Sequence, residues 1–315
     1  LNLKTLYCLL IKINFKMKKL LNLSLLFAFI IFIGCEKKEK QADTKKDTAL
    51  TLMNESTERF KKHWNLGDAN AISNEFLEDA VRVISNPTSP LEGNKEINDS
   101  FSSTFADGSE LKDSKINITI SETRLVSKDI LMGAGTFEIV DKSNSVLESG
   151  KWGNVYKLSD SKIKFLLESA HRTIAPSDVE MKEPFALNPS IVSEEIHFEK
   201  IKASVDNYVK FQNEKNAEQL SMLFTQNGIQ SVSSKDGVVI GREKIVSTEV
   251  FSDGQILNAN ILGYRYIGDS LAIAYGNWTQ TDEKSNTMAT GQWGNLFKID
   301  GDTAYLLMES AGLIN

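Results

Sequence analysis

One eight-residue run occurs twice in this chain. GKWGNVYK at 150–157 returns as GQWGNLFK at 291–298, and eighteen residues after the first glycine of each run comes Glu-Ser-Ala, at 168–170 and 309–311. These pairs are offset by 141. A second set is offset by 148: Asp68-Ala69 with Asn216-Ala217, Phe76 with Phe224, Gly93 with Gly241, and Ile97 with Ile245. Two sets in the same order mean duplication. The change of offset places seven extra residues in the first copy between Ile97 and Gly150. A chain that repeats at this length builds one supersecondary unit twice, and 315 residues suit two ordinary domains.

Each copy reads alike. An amphipathic helix comes first, with Ile201, Val205, Tyr208 and Val209 on one stripe and Met53, Phe60 and Trp64 as counterparts. A short second helix is expected to end near Phe76 or Phe224, followed by a strand over 80–85 or 228–233. A turn then leads to Gly93 or Gly241, opening a third helix, and four long strands complete the copy. Alternation puts Trp152, Asn154, Tyr156 and Leu158 on one strand face, and Trp293, Asn295, Phe297 and Ile299 on its repeat. Asp300-Gly301 marks a hairpin turn. Three of the five prolines (Pro176, Pro184, Pro189) lie in 176–190, a linker composition.

The two cysteines, Cys8 and Cys35, precede the repeats, which excludes a disulfide framework or thiolate metal site in the folded part. Three scattered histidines give no zinc constellation, and no metal or cofactor is expected. Beyond Cys35 there are 31 basic and 42 acidic residues, a balance that repels polyanions, so no nucleic-acid partner is expected.

The N-terminus reads as an address. Met17-Lys18-Lys19, the apolar run 20–33 and Gly34-Cys35 have the layout of a secretory signal over 17–34. Its fourteen apolar residues are short for a bilayer span. Residues 1–16 read as sequence upstream of a misplaced start, or as a long positive region. Phe32-Ile33-Gly34-Cys35 resembles the lipobox of bacterial lipoproteins, which implies a diacylglycerol on Cys35, cleavage before it, and a membrane anchor in the cell envelope, with the outer membrane the expected site. Residues 35–50 form a charged tether that resembles, weakly, a surface-export signal; a plain spacer reads equally well.

Gly67-Asp68-Ala69, Leu77-Glu78-Asp79-Ala80-Val81 and Gly93-Asn94-Lys95-Glu96-Ile97, set before a meander of strands, resemble the SnoaL-like branch of the nuclear transport factor 2-like superfamily. The resemblance implies an α+β fold: two tandem cone-shaped domains, 51–175 and 191–315, each with about three N-terminal helices on a curved, mostly antiparallel sheet. It implies little about function, because this scaffold carries isomerases, cyclases, hydrolases and binders alike. The second copy departs from the pattern with Lys215-Asn216 and Asn227-Gly228.

Candidate site residues follow from the repeated face. Trp152 and Trp293 suit a wall for an apolar ligand, or core packing. Asn154 and Asn295 would bond a ligand or tie neighbouring backbone, and Tyr156 shares that face. Glu168 and Glu309 are the catalytic candidates, as carboxylates after apolar runs, with a solvated or ion-paired glutamate as the simpler alternative. His171, which Gly312 replaces in the second copy, reads as a surface histidine. Neither the aspartate–tyrosine set of the scaffold's isomerases nor the Asp-Arg-Asp set of its epoxide hydrolases is met; Asp79 and Arg82 should point to opposite faces. The expected function is non-enzymatic binding of a small apolar molecule or a protein partner. The alternatives are a SnoaL-like enzyme using a pocket carboxylate, or a structural pseudo-dimer in an envelope assembly. Intramolecular pairing of the copies through their sheets is the expected arrangement. Gly153 and Gly294, inside strands, should mark a bend or a close contact.

Overall fold

The computed structural model describes residues 46–86, 89–173 and 190–314. Cys35 with its signal and most of the tether, and the linker up to residue 189, lie outside the described residues, so the readings made there stay as expectations.

In the first copy, helix α1 (46–65) and α2 (Ala69–Ser73) precede strand β1 (Phe76–Ile84), the short β2 (Leu91–Glu92) and helix α3 (Asn94–Thr104). Four long strands follow: β3 (Lys115–Leu125), β4 (Ile130–Val140), β5 (Val146–Ser159) and β6 (Lys162–Arg172). The second copy repeats the order with α4 (Ile196–Asn213), α5 (Ala217–Met222), β7 (Phe224–Val232), β8 (Val239–Ile240) and α6 (Arg242–Thr248). It closes with β9 (Gln255–Gly268), β10 (Leu271–Asp282), β11 (Thr287–Asp300) and β12 (Thr303–Leu313). Each copy forms a six-stranded mixed sheet, ordered β2-β1-β6-β5-β4-β3 and β8-β7-β12-β11-β10-β9. Among the described residues only the β1–β6 and β7–β12 pairs are parallel. The fold class is therefore α+β, two tandem cones with helices over one face of each curved sheet.

The repeated residues make repeated local structure. Asp68 and Asn216 cap α2 and α5, accepting from the Ala71 and Gln219 amides at 2.9 and 3.0 Å. Gly93 and Gly241 stand before α3 and α6 at φ +84° and +89°, a conformation that glycine adopts without strain. Their amides close onto the Ala80 and Gly228 carbonyls at 2.9 and 2.8 Å.

Two boundaries differ from the sequence reading. The short helices end at Ser73 and Met222, and Phe76 and Phe224 open strands that begin four residues earlier than expected. The reason is a register break after Phe76 and after Phe224, which interrupts the period-two pattern. Phe76 earns its strand position by stacking on Phe165 of β6, ring centroids 4.6 Å apart.

The opposite faces of the two sheets pack on each other within one compact unit, 49–315. Val81, Val83, Met132, Val155 and Leu167 of the first copy share a core with Ile229, Ile273, Leu296 and Met308 of the second. The contact has near two-fold character. Ser169 Oγ donates to the Ser310 carbonyl at 3.3 Å, and Ser310 Oγ donates to the Ser169 carbonyl at 3.0 Å. Gly153 and Gly294 sit against this pair: a Cβ at Gly153 would lie 2.9 Å from that of Ser310, and one at Gly294 3.1 Å from that of Ser169. Both glycines are close contacts, so the absence of a side chain sets how near the sheets approach. Arg124 and Arg265, offset by 141, reach across to the Asn227 carbonyl and to Asp79.

Symmetry ends at His171. It is fully buried, which overturns the surface reading: its imidazole occupies space that the absent side chain of Gly312 leaves, the Gly312 position for a Cβ lying 2.3 Å from the His171 Cβ. Near a two-fold axis two histidines would collide, so one copy carries the ring and the other a glycine. His171 Nε2 and Ser169 Oγ are 2.9 Å apart, while Nδ1 is buried without a partner among the described residues. Burial pushes its pKa down to about 3.

Candidate functional site

The concave face of each sheet, under the helices, holds a cavity, and the repeated Trp, Asn and Glu positions line both. Trp152 and Trp293 are wall residues whose indole N–H groups bond the neighbouring strand, at the Thr136 and Asn277 carbonyls, 3.2 and 3.3 Å away. Their ring faces are thus free for packing while the polar edge is satisfied. Asn154 and Asn295 tie the sheet: their Oδ1 atoms accept the Ser169 and Ser310 amides at 3.0 and 3.1 Å, where the ladder slips a register. Side chains offered as either ligand contacts or backbone ties are therefore ties that also face a cavity.

The first cavity measures about 190 Å³. Phe60, Trp64 and Phe165 line it, and Phe76, Phe101 and Phe105 pack edge and face behind them. At its floor Arg82 Nε meets Glu168 Oε2 at 2.6 Å, both side chains nearly buried, with the guanidinium 4.1 Å over the Phe101 ring. Ser100 Oγ accepts from Arg82 Nη1 at 3.1 Å. Glu168 is thus held as one half of a buried ion pair. Tyr156 hydroxyl accepts from Asn154 Nδ2 at 3.2 Å, and burial pushes its phenol up, keeping it protonated.

The second cavity is larger, about 1040 Å³. Val205, Trp278, Trp293, Phe297 and Leu306 form its walls, and Tyr208, Gln230, Lys235, Glu249 and Glu309 its polar side. Gln230 Nε2 donates to Glu309 Oε2 at 2.9 Å, and Lys235 Nζ bridges Gln230 Oε1 and Glu249 Oε2. Burial raises the Glu309 carboxyl above the ordinary carboxylate range; the Tyr208 hydroxyl and Gln230 beside it pull the other way, and the Glu249 charge raises it further. Tyr208 is raised well above its ordinary value by burial and then by the nearby carboxylates. Burial thus favours the protonated form of Glu309, whereas Glu168 has the Arg82 cation against it.

The same offsets explain the divergence. Arg82 aligns with Gln230 and Phe101 with Glu249, so the second copy loses both the buried cation and the ring beneath it. With seven extra residues in the first copy, α3 runs to Thr104, Phe105 packs on the core and Leu111 lines the first cavity, while α6 stops at Thr248. The sequence placed Tyr208 on the apolar stripe of its helix and set Arg82 only beside Asp79, while Lys235 and Glu249 carry no motif that marks them.

Comparison with other proteins gives fold relatives only. No family model matches the chain, and no curated protein is similar to it. Among solved structures, an NTF-2-like protein of unknown function from Shewanella oneidensis is 14% identical, covering 39% of this chain and 98% of its own, at TM-score 0.34. A domain of unknown function with a cystatin-like fold from Nostoc punctiforme is 12% identical, over 55% and 96%, at 0.35. A ketosteroid isomerase-like protein from Erwinia carotovora atroseptica is 14% identical, over 40% and 97%, at 0.34.

Proposed function

We propose that this chain is an envelope lipoprotein, anchored through Cys35, whose second cone binds a small molecule with an apolar body and whose first cone is a packed structural partner. The observation that carries the reading is the contrast in cavity size, about 1040 Å³ against about 190 Å³ in two copies of one fold. A cavity of several hundred Å³ with apolar walls and a few convergent polar groups is the usual form of a small-molecule site. The anchor rests on the lipobox-like run 32–35 and on the lack of any later cysteine.

Binding of the neutral dye N-phenyl-1-naphthylamine to the full chain tests the reading. Ala311→Phe should fill the second cavity and abolish dye fluorescence, whereas Ala170→Phe, its counterpart in the first, should leave it. Equal loss from both, or dye binding unaffected by Ala311→Phe, would reject the assignment. Lipidation is tested separately by palmitate labelling of the membrane fraction; a Cys35→Ser chain of unchanged mass that stays membrane-bound would sink it.

A second reading, a SnoaL-like enzyme, draws on the raised Glu309 carboxyl beside Tyr208, since a buried acid and a phenol can together stabilise charge on a carbonyl oxygen. It requires a base as well, and Glu249, the nearest carboxylate, is held by Lys235. Exchange of a ketone's α-protons with solvent deuterium, lost in Glu309→Gln, is the result that would install it.

A further inference from the structure

The two copies provide an internal comparison at the floor of each cone. In the first, a carboxylate carries a cation: Arg82 Nε lies 2.6 Å from Glu168, its guanidinium stacked 4.1 Å over Phe101. In the second, the carboxylate remains as Glu309, but a neutral amide, Gln230, stands at the arginine position and Glu249 at that of the phenylalanine. The cation has been removed and a second acid added. Lys235 restores one charge, and it is spent on Glu249 and Gln230 rather than on Glu309. The charged groups lining the cavity are then Lys235 against Asp236, Glu249 and Glu309, an acidic excess inside a low-dielectric wall.

Two further features point to a ligand. Trp278, Trp293, Phe297 and Tyr208 surround the space, and aromatic faces attract organic cations. Asn295 is only 8% exposed and lines the cavity. Its Oδ1 is committed to the Ser310 amide, which fixes the amide orientation and turns Nδ2 the other way. In the first copy the corresponding Nδ2 donates to Tyr156. Phe297 replaces that tyrosine, so among the described residues Asn295 Nδ2 has no acceptor.

We propose that the second cone takes an organic cation: a primary amine or guanidinium on an apolar body, with a hydrogen-bond acceptor placed for Asn295. Its charged head stands on Glu309 where the first cone keeps Arg82 on Glu168. This rests on the reading of the second cone as a binding site and narrows its ligand class. A free carboxylate or phosphate is disfavoured by the same acidic excess, and Lys235 offers such an anion only a charge already paired with Glu249. Ion pairing also favours the ionised form of Glu309, so binding releases a proton to the extent that the empty site holds one.

The test is a tryptophan-fluorescence titration of the full chain with 2-phenylethylamine and its uncharged counterpart 2-phenylethanol. The amine is expected to bind roughly 10-fold more tightly or better, a difference of about 1.4 kcal/mol. Two variants should each bring the ratio to about unity: Glu309→Gln, which removes the carboxylate, and Gln230→Arg, which supplies the first copy's own cation. The second keeps the experiment decisive if the first fails to fold. Equal binding of amine and alcohol by the unaltered chain, or a preference that survives Gln230→Arg, overturns the inference. If the neutral naphthylamine dye still binds in an Ala311-dependent way in that event, the binding-site reading stands and only the ligand class falls. If neither dye nor amine binds, both fall.

Discussion

Glu168 and Glu309 occupy the same place in two copies of one fold, yet one is an internal structural charge and the other an acid facing open space. Glu168 is matched by Arg82 in a cone that aromatic rings have nearly filled. Glu309 has only the Gln230 amide, the Tyr208 hydroxyl and a lysine engaged elsewhere. The difference teaches that duplication released one copy from the burden of stability. The first cone is packed and charge-balanced, while the second has a larger cavity and a carboxylate with no arginine on it, features that cost a domain stability.

The strongest way to break this comparison is Arg82→Gln, which gives the first copy the second copy's floor. Removing one partner of a buried pair typically costs 3–5 kcal/mol, and a loss of about 3 kcal/mol is expected by urea denaturation. A loss below about 1 kcal/mol would mean that Arg82 and Glu168 contribute no more than a solvated pair.

Next in size is the asymmetric contact between the copies. Gly312→Val would place its Cβ 2.3 Å from the His171 Cβ and 2.7 Å from Ser233 Oγ, against a neighbouring sheet rather than a flexible chain end. Overpacking of this kind costs roughly 3 kcal/mol. His171→Gly should recover much of that in the double variant, since it vacates the contested space. Independent, additive losses would show that the two positions do not compete.

How much of this was legible in the sequence follows from what each signal measures. The repeat, the order of elements along each copy and the shared faces of the Trp and Asn positions come from residue spacing, and spacing is a local property that survives without coordinates. The sister-copy offsets also carried Arg82 against Gln230 and Phe101 against Glu249, but their meaning required knowing that β1, α3 and β6 converge on one point. His171 illustrates the limit best. Its period-two face was readable, but that face is buried only because a second sheet covers it, a tertiary fact that no window of one copy contains. The same ignorance of the partner sheet hid why Gly153 and Gly294 carry no side chain.

His171 supplies the pH test. Its folded pKa, about 3, lies below the unfolded value near 6.5, so the neutral ring is the stable form. The contribution is complete above the unfolded pKa and declines as pH falls toward the folded one. At pH 5 the loss should be about 2 kcal/mol relative to pH 8. Glu309 works in the opposite sense, its raised carboxyl favouring the fold at lower pH, so the net slope understates the histidine. His171→Asn should therefore flatten the decline in stability between pH 7 and 5. An unchanged slope would place the imidazole in contact with water or an unrecognised acceptor.

The smallest effect concerns Asp79 and Asn227, equivalent residues on matching strands. Arg265 Nη1 lies 2.9 Å from Asp79 Oδ2 while its Nη2 donates to the Asp79 carbonyl at 2.6 Å; Arg124 in the first copy donates across to the Asn227 carbonyl at 2.5 Å and pairs with Glu122 of its own copy at 3.1 Å. The carboxylate thus adds an ion pair to a contact that main chain already makes. Its side chain is 67% exposed, so solvent and salt screen most of that attraction. Asp79→Asn, which makes the first copy match the second, should cost about 0.5 kcal/mol in low salt and nothing measurable at 1 M. Arg265→Ala removes both contacts along with the packing of the arginine stem, and should cost more, about 1–2 kcal/mol, in a manner that salt does not erase. Should Asp79→Asn prove as damaging as Arg265→Ala, the carboxylate rather than the carbonyl would hold the arginine. The near-symmetry of the two arginine contacts would then be a resemblance of position without a resemblance of energy.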